Sequence, residues 1–484
     1  MTEKTDRQQA GANTQESMQD VPPDLNLQWI QKKVPMFGIN GSKIQVIQEP
    51  SEFFDILKQQ ARYARKRIVL ASLYLGTGSL ENELVSCIDD AIQKQDPANK
   101  LQVEVLLDYT RGSRDSVNSR TMLLPLIRQY NDQVNVSLYH SPDLRGVAKS
   151  ILGERWNEII GLNHLKVYLF DDNVILSGAN LSDSYFTNRQ DRYMLIKDSP
   201  EIANFFQDLV RTVSGLSFRL HHDDTVALPD SLRCHPYGDG DNGLAYRSEG
   251  SERLQPFLDP ESNWKQGSPS QESVDTWIFP LLQMAPFGIR TDEKLTRSFL
   301  ATADKDTTVY LGSGYFNLTE GFIDTIINYS KADFKILSAS PEANGFFNGA
   351  GVSRYVPDAY TYISHSFMQQ IENSQQGHRL SMLEYSRPGW TFHGKGLWHY
   401  RKQEALPYLT IIGSSNFGYR SMYRDLETQL VIATTNQQLR QQLHQEQTNL
   451  YQKSSPVSLS TFTSPARRVS FWVPYVTNII RKFF

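Results

Sequence analysis

The chain has 484 residues and a formal net charge of −4, with 39% hydrophobic and 11% aromatic residues. That length exceeds one ordinary core and predicts two domains or two fused halves, while the mildly acidic balance argues against a nucleic-acid binder, whose domains are typically basic. Two cysteines, Cys87 and Cys234, exclude a disulfide framework and a cysteine-rich zinc site, and no apolar run approaches the roughly 20 residues a bilayer span requires.

Residues 1–36 are polar and Gln-rich and are expected to be disordered. Their acids, Glu3, Asp6, Glu16, Asp20 and Asp24, against a single early Arg7, do not fit an Arg-rich transit peptide. From 37 to 220 the pattern alternates: a helix over 51–64, a strand over 67–75, and a helix over 81–93 with Leu84, Val85, Ile88 and Ile92 on one side. Buried strands follow over 101–107 and 134–139. A hairpin begins at His164-Leu165-Lys166, turns at Asp171-Asp172-Asn173 and returns into Ser177-Gly178-Ala179-Asn180. Side chains two apart share a strand face, so His164 and Lys166 point one way, and Leu165, Val167 and Leu169 point into the core.

A Gly/Pro/Ser/Asp-rich linker is expected over 221–275, including YGDGDNG and KQGSPSQES. The order then repeats over 276–452: helix 292–303, strand 307–316, helix 321–329, strand 334–338, and a second hairpin from His393-Gly394-Lys395 into Gly413-Ser414-Ser415-Asn416. Ser72-Leu73-Tyr74 matches Ser313-Gly314-Tyr315, and an acid follows each Asn by eleven residues, Asp191 after Asn180 and Glu427 after Asn416. Alternating strands and helices in two copies predict an α/β fold of two similar halves facing each other.

A neutral imidazole beside an ammonium suits phosphoryl chemistry: the Lys holds the group, and the His attacks it or gives it a proton. One His-x-Lys would be weak evidence. His, Lys, Asn and acid in the same order twice is not, and here the chain resembles the phospholipase D superfamily, whose two H-x-K-x4-D motifs meet in one site. The resemblance implies two phospholipase D-like halves, each a mixed sheet covered by helices, with the active site at their interface. The first motif (164–171) is complete, ending at Asp171, whereas the second (393–400) has Tyr400 where the Asp belongs. In the superfamily that Asp is largely a structural anchor, and the downstream acid orients a catalytic His. The implied catalytic set is His164, Lys166, Asp171, Asn180, Asp191, His393, Lys395, Asn416 and Glu427.

ASLYLGTGSLENEL, HLKVYLFDDNVILSGANLSDSYFTNRQDRY and WVPYVTNIIRKFF further resemble the eukaryotic phosphatidylglycerophosphate synthase family, over 37–484. That resemblance implies transfer of a phosphatidyl group from CDP-diacylglycerol to sn-glycerol 3-phosphate, with CMP released, through a phosphohistidine and with no metal or other cofactor. It also implies a peripheral place on the mitochondrial inner membrane. His164, in the better-preserved motif, is the expected nucleophile. A phospholipase D-type phosphodiesterase acting on lipid or nucleic acid would use the same site with water as acceptor. A dead scaffold would not need both His-x-Lys pairs. The metal-dependent CDP-alcohol phosphotransferases need a D-x2-D-G motif and several membrane spans, which this sequence lacks.

Gly76-Thr77-Gly78 lies between strand and helix, where backbone N–H groups can cradle a phosphate. With Ala71, Ser72, Leu73, Tyr74 and Leu75 it forms the segment at which the resemblance puts the nucleotide; an ordinary Gly-rich turn is the competing reading. Arg111 and Arg114 can clamp the glycerol phosphate or simply be solvated. His221, His222, His235 and His399 read as packed or solvated. Over 453–484 a basic amphipathic segment carries Lys453, Arg467, Arg468, Arg481 and Lys482 and no acid. A helix starting at Pro474 would put Tyr475, Val476, Ile479, Ile480 and Phe483 on one side and Thr477, Asn478, Arg481 and Lys482 opposite. With Phe471 and Trp472 beside it, this reads as an anchor on an anionic membrane surface, against a helix packed on the protein's own core.

Overall fold

The structure, a computed structural model, describes all residues except 1–20, 97, 146–159, 239, 242, 263–272, 348, 350–353 and 484. Its frame is two mixed sheets built in the same strand order. In the first, Val134–Tyr139, Gln102–Asp108 and Arg67–Ala71 run parallel, and Val167–Phe170, Asn173–Ser177, Tyr193–Ile196 and Ile44–Ile47 follow antiparallel. In the second, Leu380–Tyr385, Asp333–Ala339 and Thr307–Ser313 run parallel, followed by Lys395–Arg401, Leu409–Gly413, Leu426–Thr434 and Thr276–Met284. The repeat in the sequence is thus a repeat of topology. Parallel neighbours need crossover connections, and helix Ser79–Gln93 supplies the one between Arg67–Ala71 and Gln102–Asp108.

Each hairpin leads into a helix that helps close the core between the sheets. Pro200–Ser214 starts with Pro at its first turn and buries Ile202, Phe205, Phe206, Leu209 and Val213, spaced for one helix face. These side chains share a core with Leu176 of the first sheet and Leu282, Ile412 and Leu430 of the second. Gln437–Tyr451 adds Leu439, Leu443 and Leu450 to the same core. Burial of that kind contributes about 1.5–3 kcal/mol per large apolar side chain, so the halves form one cooperative body rather than two tethered ones.

Four sequence expectations need correction. Residues 21–36 are not disordered: Val21, Leu25, Leu27, Ile30, Val34 and Met36 are buried in the second half's core with Trp277, Phe279 and Leu281, because their apolar side chains recur often enough to join it. Residues 1–20 lie outside the described set. The first half does not begin cleanly at 37, since Phe37–Ile39 pairs with Thr276–Met284 of the second sheet before the chain crosses to the first. The 221–275 linker contains helix Leu244–Leu254, whose Tyr246 is buried and donates its hydroxyl to the Leu216 carbonyl at 2.7 Å; KQGSPSQES falls almost wholly outside the described residues. The segment after 453 first adds Ser454–Val457 to the edge of the second sheet.

Candidate active site

The two motifs meet through reciprocal pairings between the halves. The backbone N–H of His164 donates to the carbonyl of Leu426, the residue before Glu427, at 2.9 Å; that of His393 donates to Gln190, the residue before Asp191, at 2.7 Å. Each histidine therefore reaches the acid of the other half. Nδ1–H of His164 donates to Oε2 of Glu427 at 2.9 Å, and Nδ1–H of His393 to Oδ2 of Asp191 at 2.6 Å. These bonds fix both tautomers and leave each Nε2 as the lone-pair nitrogen. Backbone N–H of Arg192 holds the other Asp191 oxygen at 2.8 Å, and the Ser421 hydroxyl holds that of Glu427 at 2.7 Å.

Both motif lysines are fully buried and donate to the carbonyl of their own histidine at 2.9 Å. Lys395 Nζ also lies against the His393 ring, 2.9 Å from Nδ1 and 3.2 Å from Nε2, and the Tyr185 hydroxyl lies 3.4 Å from Nε2. Nε2 of His164 has no such neighbour among the described residues. Asn180 donates to the Tyr185 hydroxyl at 3.1 Å, and the side-chain oxygens of Asn180 and Asn416 are buried without a protein partner. Gly178 makes this convergence possible, because a Cβ there would sit 2.7 Å from Asp191 Oδ1 and 3.0 Å from Lys395 Cδ.

Burial sets the charges. It pushes Lys166 down to about 7 and Lys395 down to about 8, and pushes Asp191 up to about 6 against the pull of Lys395. His164 is lowered by burial and by Lys166, although Glu427 opposes this. His393 falls well below the usual histidine range, through burial and then the charges of Lys395, Arg189, His164 and Lys166. Burial raises Glu427, but His164 and Lys166 more than offset that and hold it below the ordinary carboxylate value. The site thus holds neutral imidazoles beside an ionised Glu427.

Asp171 does not join the others. It sits at the hairpin turn with φ 53° and accepts the backbone N–H groups of Arg65, Lys66 and Arg67, at 2.9, 2.7 and 3.1 Å. Its place in the catalytic set is corrected to an anchor of that turn. Tyr400 lies inside strand Lys395–Arg401, not at a turn, and its hydroxyl is 3.1 Å from His444 Nδ1, so the residue at the motif's Asp position cannot anchor this hairpin's turn as Asp171 does the first.

The Gly76–Gly78 turn is not an open anion cradle. The Gly76 N–H donates to Leu181 O at 2.8 Å, and the buried Glu81 carboxylate packs into the turn, 2.1 Å from where a Gly76 Cβ would lie. Ala71 ends a buried strand, Ser72 bonds to the Tyr74 carbonyl, and Leu73 and Leu75 bond by backbone or pack locally. Tyr74 is at the site, with the Arg111 guanidinium 3.9 Å over its ring, while Arg114 pairs with Asp115 at 3.5 Å. His399 is packed against Phe299 and Tyr408.

Residues outside the expected catalytic set also face the histidines. The rings of Tyr185 and Tyr315 lie 5.1 and 5.4 Å from that of His393. Tyr315 had a signal: it is the counterpart of Tyr74, and Ser72 and Ser313 each bond to their tyrosine's carbonyl, at 3.1 and 3.2 Å. Tyr185 and Ser421 had none. Among the described residues, His164, Asp425 and Glu427 put ligand atoms within 4.8 Å of one another. Those atoms are engaged within the protein, Asp425 holding the N–H of Leu162 at 2.9 Å and Arg420 at 3.1 Å.

No family model matches the chain. A protein of Gallus gallus named mitochondrial CDP-diacylglycerol–glycerol-3-phosphate 3-phosphatidyltransferase is 50% identical, covering 94% of this chain and 86% of that protein. Its Homo sapiens namesake is 48% identical over the same shares. A Saccharomyces cerevisiae protein named CDP-diacylglycerol–glycerol-3-phosphate 3-phosphatidyltransferase is 35% identical, covering 92% of this chain and 89% of its own. Among solved structures, phosphatidylserine synthase of Haemophilus influenzae superposes with a TM-score of 0.73 at 18% identity, over 96% of this chain and 100% of that one. That likeness speaks for the fold.

Proposed function

The chain belongs to the CDP-diacylglycerol–glycerol-3-phosphate 3-phosphatidyltransferase family, and from that premise we propose how its paired histidines carry phosphatidyl transfer from CDP-diacylglycerol to sn-glycerol 3-phosphate. Nε2 of His164 attacks the phosphorus bearing the diacylglycerol; a P–N bond forms as the P–O bond to CMP breaks. His393 gives its proton to the departing CMP oxygen. It then takes the proton of a glycerol hydroxyl, which attacks the same phosphorus and releases His164. The observation that carries this assignment is the asymmetry at Nε2, unencumbered on His164 but flanked by Tyr185 and Lys395 on His393.

Burial and the neighbouring cations hold His393 neutral, so it must gain its proton with the donor. A bound diphosphate offsets the charges of Lys395 and Lys166 that help hold it neutral. Lys166, Lys395, Asn180 and Asn416 donate to the phosphoryl oxygens as charge moves onto them. Glu427 and Asp191 hold Nδ1–H and stabilise each imidazole as it becomes positive. No cofactor enters this scheme.

The lipid substrate requires a membrane, and we assign contact to the C-terminal helix Val473–Ile480, on the mitochondrial inner membrane as a peripheral protein. Among the described residues no helix is long and apolar enough to cross a membrane. Val473 and Thr477 face the protein, whereas Phe471, Tyr475 and Ile479 are 85%, 73% and 75% exposed. The helix lies on Val356–Asn373, whose Tyr362 bonds to Asn478 and whose Tyr360 stacks on the site residue Tyr315. This apolar patch therefore lies close to the site.

Purified protein given CDP-diacylglycerol in EDTA should form phosphatidylglycerophosphate when glycerol 3-phosphate is present. Phosphatidic acid as the main product with the acceptor present would make it a hydrolase, and loss of activity in EDTA would defeat the cofactor-free route.

A further inference from the structure

Arg189 is a cation near the site whose charge no acid answers. It lies on the two-residue strand Arg189–Gln190, paired in parallel with Thr391–Phe392, so its backbone is fixed beside the strand that delivers His393. Its Nε donates to Thr391 Oγ1 at 3.1 Å, and its guanidinium lies 4.7 Å from the centre of the Tyr185 ring. Among the described residues no carboxylate lies within ion-pair distance of it. A Cβ on Gly345 would stand 2.9 Å from Arg189 Nη2 and 2.7 Å from the Tyr315 hydroxyl, so the two donors converge over a residue with no side chain. A half-buried guanidinium flanked by tyrosines and lacking an acid matches the fork geometry of a phosphate monoester.

We infer that Arg189 and the Tyr315 hydroxyl form the subsite that holds the phosphomonoester of the acceptor and so select glycerol 3-phosphate over uncharged alcohols. The inference rests on His164 being the nucleophile. In-line displacement then puts the entering hydroxyl on the face of phosphorus away from His164, the side of His393, and Arg189 lies on that side. The phosphate of CMP leaves by the same side and has the same chemistry, so the test must tell the two apart.

Exchange of labelled CMP into CDP-diacylglycerol needs no acceptor, and overall transfer does. Arg189→Gln should raise KM for glycerol 3-phosphate about tenfold to a hundredfold, with a much smaller fall in CMP exchange. The preference for glycerol 3-phosphate over glycerol should shrink with it, and Arg189→Lys should recover part of both. Gly345→Ala, which changes no charge, should shift the same KM by crowding the two donors. An unchanged KM and acceptor preference in Arg189→Gln, or exchange lost as fully as transfer, would overturn the inference, the latter giving the cation to CMP. Absence of CMP exchange in the unaltered protein would instead sink the covalent scheme itself.

Discussion

At the residue scale the chemistry depends on which acid faces which histidine. Either His164→Ala or His393→Ala should remove nearly all transfer, because the pair acts as one unit. Labelled lipid phosphate trapped on the protein should map to the peptide carrying His164; label on His393 would exchange the two roles. Asp191→Asn should lower turnover by about 10²–10⁴-fold with little change in melting temperature, since it deprives His393 of its orienting acceptor. The pH profile follows from buried charges. Asp191, raised to about 6, must be ionised and loses that charge as pH falls through this value. Lys166 and Lys395, lowered to about 7 and 8, must be protonated and lose their charge as pH rises through those values. Turnover should therefore peak near neutrality, and Asp191→Asn should flatten the acid limb. An acid limb that persists unchanged in the variant would assign it to another group.

At the scale of elements, the site is held by what lies behind it. Arg192 leaves the first half and makes a two-pronged ion pair with Glu446, both bonds 2.9 Å, while donating to the Ile411 carbonyl at 2.8 Å and lying 3.8 Å over Trp398. Gly396 leaves room for it, since a Cβ there would be 2.5 Å from Arg192 Nη1. Glu446→Ala should cost about 3–5 kcal/mol, because it leaves a buried guanidinium unanswered, whereas replacing both partners with apolar residues should cost less. Calorimetry on the two variants checks the order. Asp171→Ala should lower the melting temperature while the folded fraction keeps its specific activity, as three backbone N–H groups lose their acceptor far from the chemistry. A fall in turnover at full folding would return Asp171 to the catalytic set.

At the scale of the whole molecule, the outward face of Val473–Ile480 faces no other part of the described protein. Lys453 pairs with Glu49 at 3.5 Å, Arg467 with Glu384, and Arg481 with Asn317 at 3.1 Å, so of the five basic residues Arg468 and Lys482 have no such pairing among the described residues. At about 1 kcal/mol per basic residue near an anionic surface, electrostatics is the smaller share and inserted aromatics the larger. Phe471→Ser with Ile479→Ser should therefore weaken sedimentation with anionic liposomes more than raising salt does. Point changes serve better than deletion, which would uncover the faces that Val473 and Thr477 cover. Undiminished liposome binding by the double variant would put the membrane contact elsewhere.

The sequence by itself determined the repeat, the two His-x-Lys pairs and the acid that follows each Asn, because strand periodicity and motif spacing are local properties. It also marked Tyr74 and Tyr315 as counterparts. Only the tertiary structure decided that each acid serves the histidine of the opposite half, because that pairing joins residues 263 and 202 positions apart. It likewise decided that Asp171 turns away while Tyr185 and Arg189 turn in. A side chain's neighbours across a sheet interface are set by how two surfaces pack, and no spacing along one chain records which residues that packing brings together.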